Sequence, residues 1–295
     1  MRVADAYAAC GEITRREARN FALGIMVLPR PKREALTALY AFARRVDDIA
    51  DGADPPAVRA AALAVVRDSL DTLPRVPAGD PVLIALRDAM VRYPIPRGSL
   101  LALLDGAQWD VERSRYETWS ELRAYCLRVA GAVGVACTAV YGPTDLTRAV
   151  PLAELLGIAL QQINIMRDVR EDWLMGRVYL PQDELAHHGV TEEDLAAGTL
   201  DAGWRELMEL QANRARAHLV GGFGLLDLLD ARSSLCVRTL AGVYSGLLDE
   251  IEQCGFDVFS ARAGISTGAK LRVAGVGIIG ALAGRAPRVV QGPLA

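Results

Sequence analysis

The 295-residue chain has little of what builds many specialised sites. Its three histidines, His187, His188 and His218, stand in no Cys/His spacing, so a zinc centre is not expected. Cys10, Cys126, Cys137, Cys236 and Cys254 form no CxxC pair. An odd, scattered set lying mostly in apolar runs reads as reduced thiols rather than as a disulfide framework. The formal charge is only −3 and no basic tract appears, which excludes the usual footprint of a nucleic-acid binder. No GxGxxG follows a strand-like run to suggest a Rossmann site; NADPH is not expected. The first residues lack the basic-then-apolar order of a secretory signal. The most apolar run near the C-terminus, 273–284, is too short to span a bilayer. A cytoplasmic location is the expectation.

What the chain does have is apolar mass. Hydrophobic residues make up 52% and charged residues 23%, enough for a large core and contrary to disorder. Strand signals are scarce, and apolar residues recur at spacings of three and four almost throughout. The expectation is an all-α protein of one domain, 1–295, with no internal repeat and no break long enough for a linker. Helices are expected over 32–51, 201–230 and 233–254, with two more between 100 and 142. Ser99 is the expected N-cap of the helix beginning at Leu100, and Thr191 with Asp194 forms an expected capping box.

The densest chemistry lies in QQINIMRDVREDWLMGRVYLP, 161–181. On a helix, Asn164, Asp168 and Asp172 fall on one face, and Gln161 extends that row by a turn. Stacked oxygen-bearing side chains repel one another unless a cation lies between them, and a hard divalent ion such as Mg²⁺ suits such ligands. Taken alone, the row reads equally well as a solvated acidic face paired with Arg167 and Arg170. A second cluster tips the balance. Asp47, Asp48 and Asp51 follow Arg44 and Arg45, and Asp47 and Asp51 again share a helical face. Two such rows facing across a cavity can hold several Mg²⁺ ions and a diphosphate, with arginines neutralising the remaining charge. Arg177, in the loop after the second row, extends the basic surface.

DDIAD at 47–51, with NIMRDVRED at 164–172 and GRVYLP at 176–181, resembles the squalene/phytoene synthase family, and the likeness runs from about Thr14 to Lys270. The resemblance implies a class I terpenoid synthase-like helical bundle with a central cavity, two or three Mg²⁺ ions, and isoprenyl diphosphate substrates. It assigns the metal to Asp47, Asp48, Asp51, Asn164, Asp168 and Asp172. It implies substrate contacts from Asn20, Phe21, Arg44, Arg45, Gln161, Arg167, Arg177, Arg262 and Lys270, with the isoprenoid tail lying along Gly131 and Gly134. Tyr125 matches the tyrosine near the carbocation, and Tyr40 and Tyr244 offer further π faces. Ala18, Ala22 and Leu23 depart from the family pattern. ITRREARNFALG…YAFARRVDDIADG resembles the presqualene diphosphate synthases of bacterial hopanoid pathways, which implies joining of two farnesyl diphosphates. Phytoene or dehydrosqualene synthesis is the alternative. A terpene cyclase and a non-catalytic assembly factor of the same fold are the readings from other classes. Greasy substrates make loose membrane contact compatible with a soluble chain. No oligomeric state follows from the sequence.

Overall fold

The computed structural model describes residues 1–73 and 79–260, the side chains of Arg19 and Asn20 excepted. Among these the architecture is all-helical, and the lone extended pairing is a bridge between Arg115 and Val178. In chain order the helices are α1 (Val3–Glu17), α2 (Arg19–Ile25), α3 (Arg30–Ala50), α4 (Pro56–Asp71), α5 (Pro81–Arg92), α6 (Arg97–Glu112), α7 (Trp119–Cys126), α8 (Ala132–Tyr141), α9 (Leu146–Arg167), α10 (Val169–Leu174), α11 (Gln182–His187), α12 (Glu192–Ala197), α13 (Ala202–Gly222) and α14 (Ala231–Gln253).

The caps explain most boundaries. Pro29 and Pro31 fix φ at the start of α3, where a missing N–H costs nothing. Asp80, Asp145, Asp201 and Asp230 accept from first-turn N–H groups of α5, α9, α13 and α14. Thr191 and Asp194 make the expected capping box of α12. Ser99 is not a cap. Pro96 already caps α6 three residues earlier, and Ser99 is buried within its first turn.

α3 buries Leu36, Leu39, Phe42 and Val46 in a continuous core, and α9 lies against α8, α13 and α14. Two departures from regular helix shape the interior. Between α7 and α8 the backbone widens into a π-helical turn, Leu127–Gly131, so these segments form one bent unit. Here two backbones touch: a Cβ on Gly157 would lie 2.5 Å from the Ala130 carbonyl oxygen, and one on Gly134 2.8 Å from that of Ala153. Only glycine allows this approach. The segments Trp119–Tyr141 and Leu146–Arg167 are long and apolar enough to cross a membrane, but each is more than half buried in the fold.

The second departure is at Asp168. The helix that carries Asn164 stops there (φ −101°, ψ 14°) and restarts as α10. Backbone bonds from Asp168 to Asn164 (2.9 Å) and from Asp172 to Asp168 (2.8 Å) persist across the break. The three side chains therefore still leave successive turns.

Candidate active site

Helices α1, α2, α3, α6, α7, α8, α9, α10 and α14 line a cavity of about 1110 Å³. One end is acidic and basic, the other apolar. The last turn of α3 brings Asp47 and Asp51 to it, and the α9–α10 break brings Asn164, Asp168 and Asp172. Carboxylates at the C-terminal end of α3 add to the negative end of its dipole, a cost that an incoming cation removes. Gly176 (φ +78°) ends α10 in the left-handed region and turns the chain, so that Arg177 points inward. Its guanidinium is buried and donates to Asp51 Oδ1 (2.6 Å) and to the Ala50 carbonyl (3.2 Å), tying the two acidic segments together.

The electrostatics record the crowding. Asp47 reaches the cavity's water but is walled by protein; desolvation, and then Asp51, push its carboxyl up to about 7. Asp172 is pushed up to about 8, first by desolvation and then by Asp168. Asp168 carries a salt bridge from its neighbour Arg167. Among the described residues, the acceptor Asn164 Oδ1 and the donor Arg44 Nε are buried at this end without a hydrogen-bond partner. A native fold rarely leaves such groups unmatched. A cation fits the first, an anion the second.

Among the described residues, no three His, Cys, Asp or Glu side chains converge on one point. Mg²⁺ is commonly held by one or two carboxylates together with substrate phosphates and water. The residues fit such an ion: Asp47 and Asp51 on one side, Asn164, Asp168 and Asp172 on the other.

Most of the expected site residues line this cavity, including Phe21, Tyr40, Arg44, Tyr125, Gly134, Gln161, Arg167 and Tyr244. Phe21 stacks on Tyr40, with ring centroids 5.6 Å apart. Three residues differ from expectation. Arg45 faces away from the cavity and makes a bidentate pair with Asp80 (2.8 Å for each bond), because Asp80 at the head of α5 packs on that side of α3. Asp48 points outward and pairs with Arg44 (2.7 Å), being one residue round the helix from Asp47. Gly131 is packed against Leu127 and the Glu154 backbone, so Ala130 and Gly134 meet the cavity instead. Arg262, Lys270 and the side chain of Asn20 lie outside the described residues.

Asp110 and Tyr179 are among the cavity residues that the sequence reading did not assign to the site. Asp110 on α6 accepts a hydrogen bond from Tyr125 Oη (2.7 Å, at Oδ2) and another from Tyr179 Oη (2.7 Å, at Oδ1). The rings of Tyr116, Tyr125 and Tyr179 pack together with centroids 5.2–5.7 Å apart. Tyr179 sits inside GRVYLP, and Asp110 directly follows Trp109 on the polar stripe of α6. Both were visible as residues; their meeting was not.

The family model described as Squalene/phytoene synthase matches residues 14–269. A phytoene synthase of Mycobacterium tuberculosis is 41% identical over 275 residues, covering 92% of this chain and 90% of the relative. Among solved structures, a dehydrosqualene synthase in complex with ligand superimposes with a TM-score of 0.87 at 26% identity, covering 94% of this chain and 96% of that one. The squalene synthase HpnC from Alicyclobacillus acidocaldarius gives 0.79 at 28% identity, covering 86% and 95%.

Proposed function

This chain belongs to the squalene/phytoene synthase family of head-to-head prenyltransferases, and on that premise we propose that it condenses two C20 isoprenyl diphosphates, of the geranylgeranyl type, into a phytoene-type product. The observation that carries the reading is the pairing of unmatched groups in one cavity. Arg44 Nε asks for an anion and Asn164 Oδ1 for a cation, beside Asp47, Asp51, Asp168 and Asp172 and the guanidinium groups of Arg167 and Arg177. A metal–diphosphate complex satisfies both. The cavity exceeds the roughly 300–1,000 Å³ typical of pockets that hold one small ligand, which leaves room for two chains.

Asp47, Asp51, Asn164, Asp168 and Asp172 are the residues placed to hold Mg²⁺, which when bound supplies Lewis-acid stabilisation of the departing diphosphate. The protein's own groups do the rest. Arg44, Arg167 and Arg177 add preorganised positive charge at the polar end. Leu103, Val133, Leu160 and Leu240 line the apolar end, hold the isoprenoid chains and keep water from the allylic cation. Tyr40, Tyr125 and Tyr244 present ring faces or edges to the same space, where an electron-rich ring can steady positive charge. Attack by the second substrate's double bond on that cation, followed by proton loss, closes a cyclopropane ring.

The chain-length assignment rests on relatives named phytoene synthases, at higher identity than the squalene-type structural neighbours. Two farnesyl diphosphates joined to presqualene diphosphate, the expectation from the sequence wording, is the second reading, and the likeness to HpnC favours it. Incubating the purified protein with Mg²⁺ and either geranylgeranyl or farnesyl diphosphate, then analysing the lipid extract, tests both. A C40 hydrocarbon from the C20 substrate is the expected result. A C30 product from farnesyl diphosphate alone would move the assignment to the second reading, and a monomeric cyclic hydrocarbon would overturn the condensation.

A further inference from the structure

The most unusual group in the cavity wall is Asp110. Its two carboxylate oxygens each accept one phenol O–H, from Tyr125 on α7 and from Tyr179 after α10, at 2.7 Å each. The two rings stack at 5.2 Å and 27°, and their hydroxyl oxygens lie 3.4 Å apart. Tyr116 closes the cluster from behind with its ring and does not reach the cavity. Asp110, Tyr125 and Tyr179 all line the space where the condensation above takes place.

This arrangement has a chemical consequence. Because Tyr125 and Tyr179 spend their hydrogens on Asp110, neither presents an O–H dipole to the cavity. Only ring π density and oxygen lone pairs face a cation. Charge-assisted bonds to a carboxylate are short and strong, so this orientation is held firmly. A neutral phenol is a poor terminal base, since accepting a proton makes an oxonium. A phenol already bonded to a carboxylate can pass its own proton on.

We propose that Asp110 is the positioning residue of the ring-closing step, acting through Tyr125 as the final acceptor of the proton that the cation loses. The C–H bond of the condensed cation breaks, and its electron pair closes the cyclopropane ring. The proton arrives on Tyr125 Oη as the original phenol proton moves to Asp110 Oδ2. The cation is discharged, Tyr125 is unchanged, and the carboxylate has become a carboxyl. Tyr179 holds the other oxygen and keeps the carboxylate turned toward Tyr125. Desolvation holds the Asp110 carboxyl above the ordinary aspartate range, at about 6, opposed by the two phenol bonds and by Arg177, which suits a group that must accept a proton.

The inference rests on the condensation reading, and the test separates the two. Diphosphate release and carbon product are measured together in single turnovers with Mg²⁺ and geranylgeranyl diphosphate. Asp110→Asn keeps the shape and one acceptor but removes the proton sink. It is expected to go on releasing diphosphate while the yield of ring-closed product per diphosphate falls at least tenfold, the balance appearing as water-captured allylic alcohol. Asp110→Glu is expected to restore most of that yield. Tyr179→Phe, which leaves the Tyr125–Asp110 bond, is expected to lower it less than Asp110→Asn does. An unchanged yield per diphosphate in Asp110→Asn would overturn the inference, and so would equal loss of both readouts with no rescue by Glu, because a purely structural role gives that pattern. An unaltered protein that releases no diphosphate would overturn the condensation itself.

Discussion

α3 delivers Asp47 and Asp51 from the last turn of an unbroken helix, whereas Asn164, Asp168 and Asp172 come from a helix that breaks at its middle aspartate. The first row leans on partners from elsewhere: Arg177 reaches Asp51 across 126 residues of sequence, and Arg44 holds the outward Asp48. In the second row Arg167 pairs with the adjacent Asp168, while Asn164 Oδ1 lacks a partner and the Asp172 carboxyl is raised to about 8. The first row is thus anchored from outside, and the second carries more uncompensated charge repulsion. Arg177, which follows the second row in sequence and donates to Asp51 in the first, links the two.

Removing the stressed row should have the largest effect. Asp172→Asn is expected to lower kcat/KM by about 10²–10³-fold, the usual scale for losing one element of transition-state charge stabilisation. Steady-state kinetics with saturating Mg²⁺ checks it, and a loss under fivefold would place the metal on the first row alone. Arg177→Met removes the link between the rows. It is expected to reduce turnover roughly 10- to 100-fold and stability by about 1–3 kcal/mol, since Asp51 and the Ala50 carbonyl both lose a donor. Thermal melts and kinetics on the same preparation separate the two losses.

pH sharpens the contrast without mutation. Asp47 and Asp172 have carboxyls raised in the folded protein, to about 7 and about 8. Below the unfolded value of about 4 both states bind the proton and folding pays nothing for it. As pH rises toward 8 the unfolded chain ionises first, so stability is progressively lost. Asp80 and Asp230 shift the other way, held low after the opposing effect of burial by bonds from Arg45 and Lys32 respectively, and their contribution is complete by about pH 5. The metal-free protein is therefore expected to melt at lower temperature at pH 8.5 than at pH 5.5. Mg²⁺ with an isoprenyl thiodiphosphate should flatten that slope. The smallest effect belongs to Arg45→Ala, which should cost about 1 kcal/mol by removing the Asp80 pair while leaving turnover within twofold. A large loss of turnover would return Arg45 to the substrate.

The positions of these rows could be read in the sequence because a spacing of four fixes a helix face before any tertiary contact forms. That Asp47 shares a face with Asp51, and Asn164 with Asp172, followed from that rule; their assignment to metal came with the family resemblance. The orientation of Arg45 followed from neither, since Arg44 and Arg45 lie about 100° apart on α3 and only Asp80, from another helix, decides which one the cavity receives. The break at Asp168 and the π-turn at Leu127–Gly131 were hidden for a similar reason: each residue is compatible with regular helix, and packing selects the irregular form. Gly157 against Ala130 shows the pressure directly. The Asp110–Tyr125–Tyr179 cluster joins three elements, and no local pattern announces such a meeting.

The central claim is that two acidic rows share metal only when a diphosphate completes the shell. Calorimetric titration of Mg²⁺ into the protein, with and without an unreactive isoprenyl thiodiphosphate, measures this most directly. Weak binding alone and tight binding of more than one ion with the thiodiphosphate is the expected result. Equally tight binding of a single ion without it, or no binding in its presence, would contradict the claim.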